Sequence, residues 1–434
     1  MKANSFLIVL LCLALYLFRC FFGLQVNFSH ADYHQIYLIG LEYLTSNNWP
    51  YWGPDIVWSK TQLPGGLQAL LVGDSINFFN HYTAPIFISN LFSSFGLILL
   101  SLYISKRLTN LPPYLILLLT HLFAFNVFHG AVLLNTAYLL FSGALVFISV
   151  LELFLFAKNT LLPKKYYFLA IGLALTFTMQ LHLSWVMILP YLMVLLFFEL
   201  KQGSKSLLTA LGFLIIGIAI GGVTLFPTIA KFGTEIFSNS DGNVAFDITR
   251  LKRFGDLFIR YIGIASFEIN PRTDINKLAI AENNLIIAPI WIMRIIGAAQ
   301  VIFMLVGIYF IRKQKEIKRS LVLFGLSYLM ALVLYLLSNK HLSVRTYILL
   351  YPIPIWFFFQ AFSYWVSKYK SAIQYMLVSC IIALFSYFGI AYLNAGSKHS
   401  FKYWEYHINT AIKKQDIECF GKRRVSRMKN SLPN

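Results

Sequence analysis

Asp32 lies in the first long polar interval of an otherwise apolar chain, and the cations that could work with it are mostly distant in sequence. The interval, residues 25–82, also holds Glu42, Asp55 and Asp74, has Lys60 as its one Lys or Arg, and is rich in Trp, Tyr, Asn and Gly. Polar groups recur at the ends of later apolar runs: Asn135-Thr136-Ala-Tyr138, His182-Leu-Ser184 with Pro190, and His341-Leu-Ser-Val-Arg345-Thr-Tyr347 with Pro352 and Pro354. One carboxylate with several cations suits transfer of a sugar from a polyprenyl phosphate to a hydroxyl or amine. The leaving group is already a phosphate, so it needs cations or a divalent metal rather than a general acid. The acceptor needs one carboxylate to take its proton, typically worth about 10²–10⁴ in rate. A single base with in-line attack inverts the anomeric centre, whereas retention needs a second, nucleophilic carboxylate close by. In this scheme Asp32 is the base, and Lys60, Arg345 and His341 surround the donor phosphate.

Helices crossing a membrane must position these residues. The chain has 434 residues, 58% hydrophobic and 12% charged, with mean hydropathy +0.67. Runs of about 20 apolar residues span a bilayer as helices, and so many of them describe a multi-span helical membrane protein. Eleven spans are predicted near 5–24, 83–104, 111–128, 132–157, 166–182, 183–200, 206–229, 284–311, 320–337, 346–363 and 371–393. With the N-terminus cytoplasmic, the inner loops before the tail carry 15 Lys/Arg against three acids, and the outer loops carry 10 against 11. That bias follows the positive-inside rule and puts 25–82 and 230–283 outside. The odd count leaves the basic tail 394–434 outside as well. The net charge of +19 reflects cytoplasmic loops and this tail, not nucleic-acid binding. Cys12, Cys20 and Cys380 lie in apolar spans and Cys419 in the tail, so no disulfide framework or metal spacing appears. The first apolar run reads as an uncleaved signal-anchor.

Within 25–82, residues 31–46 suit an interfacial helix with Asp32, Gln35 and Glu42 within roughly 80° of arc. Asn47-Asn48-Trp49-Pro50 and Gly53-Pro54 break the chain, and Pro64-Gly65-Gly66 begins a second short helix. Trp49, Trp52 and Trp58 belong at headgroup depth. In 230–283, Leu251, Phe254, Phe258, Tyr261 and Ile262 follow the spacing of an interfacial amphipathic helix. Taken singly, a His or Arg at a span end commonly snorkels to the headgroups. Their gathering on one membrane face, together with a carboxylate, is what points to chemistry.

The membrane part, residues 1–393, resembles the C-type (GT-C) integral-membrane glycosyltransferases, the superfamily of protein O-mannosyltransferases and bacterial aminoarabinose transferases. The matching features are Asp32 soon after the first helix, Pro64-Gly65-Gly66-Leu67-Gln68 opening a second loop helix, His182-x-Ser184 with Pro190, and Arg345-x-Tyr347 with Pro352. The resemblance implies an all-α polytopic transmembrane bundle whose first-loop acid, here Asp32, is the catalytic base. It makes Lys60 a counterpart of a donor-phosphate lysine. Tyr33 stands where many members have a second acid, and Asn135 where relatives often have Asp. Tyr33, Glu42, Asp55, Asn135, His182 and Tyr347 are the expected substrate-binding or supporting residues. The expected activity is inverting transfer of a sugar from a polyprenyl-phosphate donor to a glycan, lipid or protein acceptor on the periplasmic face of the inner membrane. A polysaccharide polymerase or ligase, or a lipid-linked sugar flippase, is the alternative. Acids are nearly absent from helix centres, which disfavours a transporter.

Overall fold

At membrane depth a backbone N–H or C=O has no water to bond, so an apolar run satisfies itself internally by folding as a helix. The computed structural model describes residues 5–25, 31–46, 48–55, 62–81, 83–233, 246–251, 255, 262, 287–337 and 344–395. The protein is an all-α polytopic bundle. Helix α1 (Ser5–Gln25) leads into the first polar interval, which holds α2 (Ala31–Ser46), β1 (Trp52–Asp55), β2 (Gln62–Pro64) and α3 (Leu67–Phe79). Then follow α4 (Ala84–Arg107), α5 (Pro113–Leu122), α6 (Ala124–Gly130), α7 (Leu139–Phe154), α8 (Lys164–Met179), α9 (Ile188–Gln202), α10 (Ser204–Gly221) and α11 (Phe226–Phe232). After the second polar interval come α12 (Ile287–Ile311), α13 (Lys315–Leu337), α14 (Pro352–Lys368) and α15 (Ala372–Ala395). The 3-10 turns Asn135–Tyr138, Leu183–Met187 and Val344–Leu350 lead into α7, α9 and α14.

Among the described residues, eight helical stretches are long and apolar enough to cross a membrane, against the eleven predicted. The other three predicted runs are helical as well. Span 111–128 is split between α5 and α6, α8 has 16 residues, and α15 runs 24 residues from Ala372 to Ala395. The amphipathic helix expected over Leu251–Ile262 and the tail beyond residue 395 lie outside the described residues, apart from isolated positions of the former.

The split between α5 and α6 falls at Phe123, whose φ of −55° and ψ of 126° are not helical. Neighbouring side chains bond the carbonyls around this break. Asn126 Nδ2 donates to the Thr120 carbonyl at 2.6 Å, and Arg19 Nη1 to the Asn126 carbonyl at 2.9 Å. Arg19 Nη2 reaches Ser93 Oγ at 3.0 Å, and Ser93 in turn donates to the Gly130 carbonyl at 2.8 Å. Asn90 Nδ2 takes the Ala131 carbonyl at 2.9 Å. Arg19, Asn90, Ser93 and Asn126 are all fully buried. A cation near the carbonyl end of α6 also complements that helix's dipole.

Ion pairs organise the opposite end of the bundle. Arg107, at the end of α4, grips Glu152 of α7 through two hydrogen bonds of 2.8 and 2.6 Å. Glu152 also accepts from the Leu161 N–H at 2.7 Å and the Tyr167 hydroxyl at 3.1 Å, which pins the connection into α8. Glu199 of α9 pairs with Lys164 at 3.5 Å and accepts from Ser206. Helices α8 and α10 lie close enough that a Cβ on Gly172 would stand 2.2 Å from the Leu214 carbonyl oxygen. Small residues permit this approach between membrane helices.

Arg19→Ala should lower the apparent thermal midpoint of the purified protein in detergent. Each buried acceptor left unbonded costs about 1–3 kcal/mol. A midpoint equal to wild type would show that the broken helix does not depend on Arg19.

Candidate active site at one end of the bundle

The three long 3-10 turns share the end of the bundle away from the Arg107–Glu152 pair. Each starts from, or close to, one of the polar groups singled out in the sequence. The first follows extended Leu134 and begins at Asn135. The second follows extended His182, whose Nδ1 accepts the Ser184 N–H at 3.1 Å and caps the turn. The third carries Arg345 as its second residue and runs into Pro352, a position at the helix start where the missing proline N–H costs nothing.

These turns are contiguous. Asn135 Nδ2 donates to the Leu181 carbonyl at 2.9 Å, tying the first turn to the residue before His182. The turn bearing Arg345 packs against both of the others. Its Tyr347 is buried and donates to the Ala331 carbonyl of α13 at 3.2 Å, so that hydroxyl faces the bundle interior. Asp32 and Tyr33 occupy the first turn of α2. One turn further on, Ile36 and Tyr37 join an apolar cluster with Val132, Leu133 and Leu134, the three residues ahead of Asn135. The α2 backbone is therefore seated beside the same turns. Lys60 and His341 lie outside the described residues, and Asp55 closes β1.

Helix α2 differs from the interfacial helix expected. Residues 35–41 are all buried, and Gln35, assigned to a polar stripe with Glu42, is enclosed with them. The helix is packed into the protein by α3 and the 132–134 segment instead of lying on a surface. Glu42 is ten residues beyond Asp32 in one continuous helix, about 15 Å along its axis. The two cannot form the closely spaced carboxylate pair, about 5–5.5 Å apart, of a retaining glycosidase-like mechanism.

The two-stranded hairpin was not legible in the sequence. Its strands, Trp-Gly-Pro-Asp and Gln-Leu-Pro, lack alternation and hold the residues that usually break strands. They pair antiparallel, with Trp52 opposite Pro64 and Asp55 opposite Gln62. What fixes the hairpin is its seat. Buried Gln180, two residues before His182, bonds the Gly221 carbonyl at 3.0 Å and accepts from Thr224 at 2.7 Å. Gly65, at φ +103°, lies directly on it, and a Cβ there would stand 2.4 Å from Gln180 Oε1. The Gly66 N–H reaches the Thr224 carbonyl at 3.2 Å, and Thr228 Oγ1 the Tyr51 carbonyl at 2.8 Å. A glutamine in an apolar run just ahead of His182 was the available signal for this seat, and the glycines at 65 and 66 were its counterpart.

Between α2 and the hairpin lies a cleft of about 250 Å³ whose walls include Glu42, Tyr43, Trp49, Tyr51, Trp52 and Gln62. Phe232 of α11 holds two of its rings: it meets Tyr51 edge-on at 5.5 Å and Trp52 at 5.1 Å between centroids. Lys231 Nζ sits 4.1 Å from the Tyr51 ring centroid, in cation–π range. Burial, and then the nearby Asp74 carboxylate, push the Tyr43 hydroxyl pKa above its ordinary value. Trp52, expected at headgroup depth, is thus a wall of this cleft. Among the described residues no group of three or more His, Cys, Asp or Glu is arranged to hold a metal ion.

No protein-family model matches the chain, and no curated protein matches it. Among solved structures it is similar to the apo crystal structure of an oligosaccharyltransferase from Archaeoglobus fulgidus, with a TM-score of 0.47 and 10% sequence identity. The match covers 96% of this chain and 59% of that one, so the chain spans about three fifths of that protein's length.

Gly65→Ala should loosen the hairpin, because it combines a strained φ with a clash against Gln180. Limited proteolysis of the folded protein should then cut within 50–66 several-fold faster than in wild type. Equal cleavage rates would mean that the hairpin is not held by its seat on Gln180.

Proposed function

We propose that this chain is an inverting glycosyltransferase. It moves a sugar from a polyprenyl-phosphate donor to a glycan, lipid or protein acceptor of the cell envelope. The protein sits in the inner membrane with the three-turn end on its periplasmic face. The observation that carries this reading is the contiguity of the turns bearing Asn135, His182 and Arg345 with the seat of α2, whose first turn bears Asp32. This supports a site in which the carboxylate of Asp32 and the cation of Arg345 work at one bundle end, where a lipid-linked phosphate would arrive from the bilayer.

In the proposed reaction the acceptor O–H or N–H gives its proton to Asp32 as its oxygen or nitrogen attacks the anomeric carbon. The bond from that carbon to the phosphate oxygen breaks, and the polyprenyl phosphate leaves with the electron pair. Arg345, with Lys60 and His341, stabilises the phosphate charge; a divalent metal would serve the same end. A single base implies inversion, in keeping with the separation of Glu42 from Asp32. Asn135 holds the loop before His182 in place, so its role is to position its neighbours. A polymerase or ligase with the same lipid-linked donor would differ in its product, a joined repeat unit in place of one added sugar.

The test is movement of radiolabelled sugar from polyprenyl-phosphate donors to an envelope extract in purified membranes. Asp32→Asn should abolish label transfer while leaving the gel-filtration profile intact. Asn135→Ala should reduce it less. Near-normal transfer by Asp32→Asn would remove Asp32 as the base.

A further inference from the structure

We propose that the cleft beside Glu42 is a carbohydrate subsite holding one pyranose ring of a glycan acceptor, remote from the reacting centre. A pyranose presents an apolar C–H face and a rim of hydroxyls. Its binding calls for a flat aromatic wall with a carboxylate or amide within reach of the rim. The cleft supplies both: Trp49, Tyr51 and Trp52 offer planar rings, and Glu42 and Gln62 offer the polar groups. The volume of about 250 Å³ lies below the roughly 300–1,000 Å³ usual for drug-sized ligands, which favours a single ring.

The charge of the lining separates this occupant from its competitors. Among the described lining residues there is a carboxylate, Glu42, and neither Lys nor Arg, Lys231 lying against the Tyr51 ring and not in the walls, so a phosphate or anionic headgroup is disfavoured. An acyl chain gains nothing from a carboxylate and an amide. The walls are also set in advance. Phe232 packs on Tyr51 and Trp52, and Thr228 bonds the Tyr51 carbonyl, so little ordering is needed when a ligand enters.

Helix α2 places Glu42 about 15 Å from Asp32 along its axis. A ring in the cleft can belong to the molecule reacting at Asp32 only if that molecule is several sugars long. This makes the acceptor a glycan, in preference to a lipid or a protein side chain. That step rests on the assignment of Asp32 above; the affinity of the cleft for sugar does not.

The experiment uses the full-length protein in a sugar-free detergent, with cellobiose, chitobiose and mannobiose as probes. Binding is read by saturation-transfer NMR and by tryptophan fluorescence. At least one disaccharide should bind, Trp52→Ala and Glu42→Gln should each weaken it about tenfold or more, and Asp32→Asn should bind as wild type does. Should Trp52→Ala fail to fold, the isosteric Glu42→Gln decides. The proposal is overturned if none of the three probes binds, or if binding survives unchanged in the folded cleft variants. Sugar binding without label transfer would keep the subsite and remove the transferase; transfer without binding would do the reverse.

Discussion

The structure depends on the rule that no backbone polar group can go unbonded at membrane depth. Where a run stays helical the rule satisfies itself, and the segment carries little information beyond its length. Where a run breaks or ends, as at Phe123 and after Gly130, carbonyls must find other donors, and Arg19, Asn90, Ser93 and Asn126 bond carbonyls from Thr120 to Ala131. An arginine buried in the first membrane helix would be hard to explain by itself. Against the carbonyls of a broken helix it is a structural cation. The same contacts fix α1, α4 and α6 relative to one another, and the peptide that α6 continues into, 131–134, is the ledge on which α2 rests.

The two ends of the bundle are built by different means. At one, Arg107–Glu152 and Lys164–Glu199 clamp short connections with ion pairs whose carboxylates are buried. A fork-shaped pair of this kind is held by several further hydrogen bonds and leaves little freedom to move. At the other, regular helix gives way to three 3-10 turns, a short hairpin and an enclosed helix. Irregular backbone presents side chains in directions that a continuous helix cannot, and it is kept in place by contacts such as Gln180 with Gly65. Among the described residues, this end carries the aromatic cleft and the turns at Asn135, His182 and Arg345.

Long apolar runs, the helix over 31–46 and the second short helix after Pro64-Gly65-Gly66 followed from the amino-acid order alone, because helix formation depends on neighbours within a turn or two. So did the polar groups at the span ends, since a His, Asn or Arg at the edge of an apolar run can be recognised without knowing what it faces. The order could not show that 111–128 breaks, because Phe123 is no helix breaker and, beside Asn126 of α6 itself, the donors around the break come from α1 and α4. Nor could it show that Gln35 is enclosed, that Trp52 and Gln62 share a hairpin, or that Glu42 faces a cleft far from Asp32. Each of these depends on contacts between residues distant in the chain. Local periodicity determined which segments are helices; which of their faces are buried, and which polar groups meet, was decided by packing that only the tertiary structure contains.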